Sequence, residues 1–93
     1  MAGVFPEITI TVFMNDDTEQ AATIRAPAMV ALERKYNISF SDIGTRTEYF
    51  MFLAYTQLKH DNVKNLPVFD NWLRRVVNLA IESEEMPSLN EGL

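Results

Sequence analysis

Thr45 to His60, TRTEYFMFLAYTQLKH, contains an unbroken apolar and aromatic run from Tyr49 to Tyr55, and the reading of that run decides the fold. A run of this length fits a buried strand as well as a buried helix, so its flanks must arbitrate. Thr45 followed by Glu48 has the spacing of a capping box. Glu48 falls in the first turn and Lys59 and His60 in the last, as the helix dipole favours. Gly44 before the segment and Asp61-Asn62 after it are breakers. The stretch is therefore predicted as a helix over 45–60. Apolar residues fill most of its circumference, so it needs neighbours on at least two sides. Phe52 and Tyr55 flank the Glu48/Lys59 edge of the wheel, and these two read either as core packing against the first helix or as the exposed aromatics of a patch for self-association or a partner helix.

Before this helix, Glu7 to Met14 (EITITVFM) alternates, with Ile8, Ile10, Val12 and Met14 on one face and Thr9, Thr11 and Phe13 on the other. That is the pattern of a half-buried strand. Asn15 to Thr18 supplies turn residues, and Gln20 to Ala26 alternates again, so a β-hairpin is predicted over 7–26. Phe13, on the polar face, reads either as a cross-strand partner of Thr23 or Arg25 or as a partner-binding aromatic. Pro27 suits the first turn of a short amphipathic helix over about 27–36, ended by Asn37. Ser39 to Gly44 reads as a single helical turn bringing Phe40 and Ile43 onto the core.

After the central helix, Phe69, Trp72, Leu73, Val76, Val77 and Ala80 recur at spacings of three and four, predicting a third helix over 67–82. Residues 82–93 show no periodicity and read as an acidic flexible tail. The expected architecture is α+β, mainly α: an N-terminal hairpin followed by a small bundle of about three helices. Residues 1–81 form one domain, since 93 residues leave no room for a second core.

The formal charge of −5 is unevenly placed, because Glu82, Glu84, Glu85 and Glu91 sit in the last twelve residues, which hold no Lys or Arg. The remainder is close to neutral and lacks the cationic field that phosphate binding draws on, so no nucleic acid partner is expected. Without cysteine there is no disulfide framework and no thiolate metal site. The N-terminus has no leader pattern, and no stretch approaches the roughly 20 apolar residues of a membrane span, so a soluble intracellular protein is expected.

Catalytic chemistry is thin. His60 is the single histidine and reads as a helix-terminal residue. Asp16 and Asp17 suit a turn better than a metal site. The three glycines are too dispersed to cradle a phosphate. No catalytic residue, cofactor or metal is expected, and what remains is surface: Phe52, Tyr55 and Phe13 are the candidate partner-binding residues.

Three segments together carry a resemblance. Leu32-Glu33-Arg34-Lys35-Tyr36 with Ile38-Ser39, Thr45-Arg46-Thr47-Glu48 leading to Phe52-Leu53-Ala54-Tyr55, and Phe69-x-x-Trp72-Leu73-x-x-Val76 resemble the tail assembly chaperones of long-tailed bacteriophages, most of all the branch from phages of actinobacteria. The similarity covers roughly Ile8 to Ile81. Tyr55 and His60-Asp61 depart from it, standing where a tryptophan and a more basic stretch are usual. The resemblance implies a non-catalytic protein of the host cytoplasm; whether the chain is a homo-oligomer is left open by the sequence. Such a protein coats the tape measure protein until the tail tube protein polymerises around it. It also implies a longer frameshifted product sharing the same N-terminal domain. A second reading from another class is a small acidic regulator that binds and inhibits one host protein.

Overall fold

The structure is a computed structural model that describes residues 7–83. In chain order it has β1 (Ile8–Met14), β2 (Glu19–Thr23), α1 (Ala26–Tyr36), a 3₁₀ turn (Phe40–Asp42), α2 (Thr47–His60), α3 (Phe69–Leu73) and β3 (Val76–Ser83). The three strands form one antiparallel sheet in the order β2-β1-β3. This is a small α+β domain.

The hairpin forms as its alternation predicts. Ile10 pairs with Ala22 and Val12 with Gln20, placing Ile10, Val12 and Ala22, all fully buried, on the face that meets the helices. The turn closes with Asp17 at φ 70° and with Met14 N–H donating to the Thr18 carbonyl at 2.9 Å. The Asp16 carboxylate accepts from the Thr18 hydroxyl and amide. Those bonds hold its pKa below the ordinary aspartate value. Adjacent acids are thus explained by the turn, and among the described residues no group of three or more His, Cys, Asp or Glu is arranged for a metal ion.

α1 also follows the sequence, with Pro27 in its first turn and Asn37 in the left-handed conformation at its end, φ 56° and ψ 47°. Glu33 accepts from the Phe40 amide at 2.7 Å and anchors the 3₁₀ turn, whose Phe40 is buried.

α2 is the hub. It packs on β1 and β2 on one side and against α1 and α3 on others, and buries Met51, Leu53, Ala54, Tyr55 and Leu58. Its start differs from expectation. The helix begins at Thr47, the capping position is Arg46 rather than Thr45, and no side chain caps it. Glu48 does not reach back to the backbone because its carboxylate is engaged by the Tyr36 hydroxyl at 3.1 Å and by Arg46 Nη2 at 3.5 Å. Gln57, 3% exposed, fastens the helix to the end of β2 by accepting from the Arg25 amide at 2.9 Å. Its amide nitrogen donates to Asp61 at 3.1 Å.

The third helix is the main correction. The helix predicted over 67–82 exists only as the five residues Phe69–Leu73, and the chain then reverses into β3. The domain is therefore neither mainly α nor a helical bundle. Val76 to Ser83 fits both templates, since Leu79 and Ile81 alternate with Asn78, Ala80 and Glu82 at period two. Tertiary pairing decides between them: β1 buried against helices would otherwise leave one edge of its backbone without partners. β3 supplies them from Ile8↔Ser83 to Met14↔Val76, with a register shift between Phe13 and Met14. The Asn15 amide, donating to the Arg75 carbonyl at 2.7 Å, ties the hairpin turn to the start of β3. The acidic tail expected from residue 82 consequently begins inside a strand, and its remainder lies outside the described residues.

Trp72 plugs the junction between α3 and the sheet, 1% exposed, with its indole N–H donating to Gln20 Oε1 at 3.1 Å. Trp72→Ala is expected to cost about 3–5 kcal/mol in denaturant unfolding, through the cavity and the lost bond. Gln57→Leu, which strands the Arg25 amide, should cost about 1–3 kcal/mol in the same assay.

Candidate partner-binding cleft

Six aromatic residues of α1, α2 and α3 form one continuous series of ring contacts. Tyr49 lies 4.8 Å from Tyr36, Tyr36 lies 5.7 Å from Phe52, Phe52 lies 6.0 Å from Phe69, and Phe69 lies 5.2 Å from Tyr55. Tyr55 in turn is 5.3 Å from Trp72, joining the series to the core. Most of these pairs are tilted or edge-on, the arrangement aromatic quadrupoles prefer, each contributing about 0.5–1.5 kcal/mol beyond simple burial. A sequence with so many rings therefore stabilises one rigid seam between three helices.

Along this seam the surface opens into a cleft of about 500 Å³, lined by Lys35, Phe52, Tyr55, Thr56, Lys59, His60 and Phe69. The α2 contributors fall at positions 52, 55, 56, 59 and 60, a single helical stripe. α1 ends above it and places Lys35 over one end, 5.7 Å from the Tyr36 ring and 5.8 Å from the Phe52 ring. Lys59 Nζ sits 5.7 Å from the Tyr55 ring. The floor is aromatic and the rim carries two lysines and His60, with no acidic side chain among the lining residues. A cationic rim on a protein of net charge −5 is a local inversion of the overall field.

Of the sequence-predicted site residues, Phe52 is half-buried and forms part of the floor. Tyr55 lines the same cleft, yet it is 8% exposed rather than a surface residue, because its ring lies between Phe69 and Trp72 and its hydroxyl donates to the Pro67 carbonyl. The reason is α3: the short turn of helix folds back over α2 at the position the helical wheel left open. Phe13 is elsewhere. It sits on the outer face of the sheet opposite Glu19 and Asn78, neither of them the Thr23 or Arg25 expected, and borders a separate shallow depression with Val77. Phe69, Lys35 and Lys59 were not selected by sequence reasoning. The one available signal was the coincidence of Phe52, Tyr55 and Lys59 on one edge of α2; Lys35 and Phe69 come from other elements and join only through the fold. Glu48 pairs with Arg46 at 3.5 Å, while Lys59 lies over the Tyr55 ring.

Searches of protein-family models, of curated proteins and of solved structures give no match to this chain. The role of the cleft rests on its own geometry.

At the far end of the seam, Tyr36 is pushed up to about 12 from 10.0 by burial first, then by the hydrogen bond to Glu48 and by the charge of that carboxylate. The folded state thus holds the phenol proton more tightly than the unfolded chain. Its stabilising contribution is complete below about pH 10 and is lost as pH rises towards about 12. In unfolding experiments across that range, Tyr36→Phe should lose less stability than the unsubstituted protein. It should also remove from an ultraviolet titration a phenolate that ionises at about pH 12.

Proposed function

We propose that this protein is a non-catalytic tail assembly chaperone of a long-tailed bacteriophage, which binds the tape measure protein in the host cytoplasm and keeps it soluble until tail tube protein polymerises around it. The observation that carries this reading is the cleft. Its aromatic floor suits the apolar stripe of a helix, entering as anchors at i, i+3 or i+4 in the helix-in-groove manner. Its volume of about 500 Å³ admits a few such side chains rather than a whole helix, so a long partner would be covered by many copies, each engaging a short segment. Lys35, Lys59 and His60 at the rim favour acidic residues flanking the apolar stripe.

The resemblance in Leu32–Tyr36, Thr45–Tyr55 and Phe69–Val76 supports the same reading, because these segments contribute Lys35, Phe52, Tyr55 and Phe69.

Co-expression with a phage tape measure protein should yield a soluble complex holding several copies of the chain per tape measure. Phe52→Glu places a charge on the floor at a half-exposed position, and should weaken the complex by about tenfold or more, near 1.4 kcal/mol, without unfolding the domain. A tape measure equally soluble by itself, with no co-eluting complex, would overturn the proposal.

A further inference from the structure

β3 is an edge strand with unusual features. Among the described residues it is the longest strand, Val76–Ser83, and β1 is its one neighbouring strand in the sheet. Val77 and Ile81 are 68% and 42% exposed, and they make up two of the four exposed large hydrophobic side chains among the described residues. Proteins blunt such edges with lysine, proline or brevity. Val76 to Ile81 has neither residue type, and the bulge at Val77 protects only its start. The opposite edge, β2, is short and begins at Glu19.

The direction of the free edge can be read from one bond. The Ile24 amide donates to the Ile8 carbonyl at 2.8 Å, which turns Ile8, Ile10 and Val12 toward β2 and Thr9, Thr11 and Phe13 toward β3, and so their partners Glu82, Ala80 and Asn78 toward β1. The Leu79 amide donates to the side chain of its neighbour Asn78 at 2.8 Å. In an antiparallel ladder alternate residues direct both backbone groups to the same side. Leu79 and Ile81 therefore present their backbone N–H and C=O groups outward, with Asn78 occupying one of these donors in the meantime.

The charge along this segment is polarised. Arg74 and Arg75 precede the strand, its body is uncharged, and Glu82 begins an acidic end that continues in sequence through Glu84 and Glu85. Such a segment is complementary to itself when laid antiparallel, where the basic start of one copy meets the acidic end of the other; parallel apposition would stack like charges. We infer that β3 pairs with β3 of a second copy of this chain across a two-fold axis near Ala80, so that Leu79 of each faces Ile81 of the other in one continuous six-stranded sheet. The interface is isologous, and it brings Leu79 and Ile81 of both copies together on the sheet face that carries the core. It uses none of the cleft residues and stands independently of the function proposed above.

The full chain lacks cysteine, which makes a single introduced thiol a clean reporter. Ala80→Cys should form an intermolecular disulfide under mild oxidation, since residues facing each other across a non-hydrogen-bonded antiparallel pair lie about 4.5 Å apart at Cα. Val30→Cys, on the exposed side of α1, should do so much more slowly. Light scattering of the unsubstituted chain should show the mass rising from 10.7 kDa towards twice that value with concentration. Val77→Lys with Ile81→Lys should hold it at the monomer mass with unchanged circular dichroism. A monomer at every concentration, a dimer unaffected by the lysine pair, or equal cross-linking rates for Ala80→Cys and Val30→Cys would each overturn the inference. So would capture of β3 by another segment of the same copy, seen as protection of the Leu79 and Ile81 amides in a monomer.

Discussion

Everything in this domain follows from the need to satisfy β1 on all sides at once. Ile10 and Val12 on its inner face are fully buried, and both edges of its backbone are paired by other chain segments. β2 meets one edge through a local turn. The other edge is met by residues more than sixty positions further on, and this long-range pairing sets the course of the chain between them. α2 has to cover one face of the sheet, α3 has to be short, and Trp72 has to sit where the chain turns back toward β1.

The aromatic seam is the second layer of the same solution. α2 is too apolar to be covered by a sheet alone, and α1 and α3 close around it with the rings of Tyr36, Phe69 and Trp72 beside buried aliphatic residues such as Leu32. Rings pack with tilt and leave concave gaps between elements. The cleft over Phe52, Tyr55 and Phe69 is such a gap, and the lysines at the ends of α1 and α2 gather at its rim because helix C-termini favour cations. The geometry available to a partner thus arises from how the core is built.

Local signals carried much of this into the sequence. The hairpin was legible because alternation, turn residues and β-branched content agreed, and α1 because Pro27 and Asn37 mark its ends. α2 was legible in extent, although its cap was not, since Glu48 is drawn to Tyr36 by a contact between elements. The segment after Leu73 was illegible for a definite reason: Val76, Val77 and Ala80 satisfy a helical period while Leu79 and Ile81 satisfy a strand period. Only the empty edge of β1, a property of the assembled sheet, chooses between them. The site shows the same division. Phe52 could be picked out on α2 alone, whereas the burial of Tyr55 and the contributions of Lys35 and Phe69 depend on how α1 and α3 pack against it.

The fold depends on residues 76–83 being the third strand, and nuclear Overhauser contacts in the labelled full chain test this most directly. Cross-strand contacts between Thr11 and Ala80 and between Thr9 and Glu82, with slow amide exchange along both edges of β1, are the expected result. Sequential contacts of helical type running without a break from Phe69 to Ile81, with one edge of β1 exchanging freely, would contradict it.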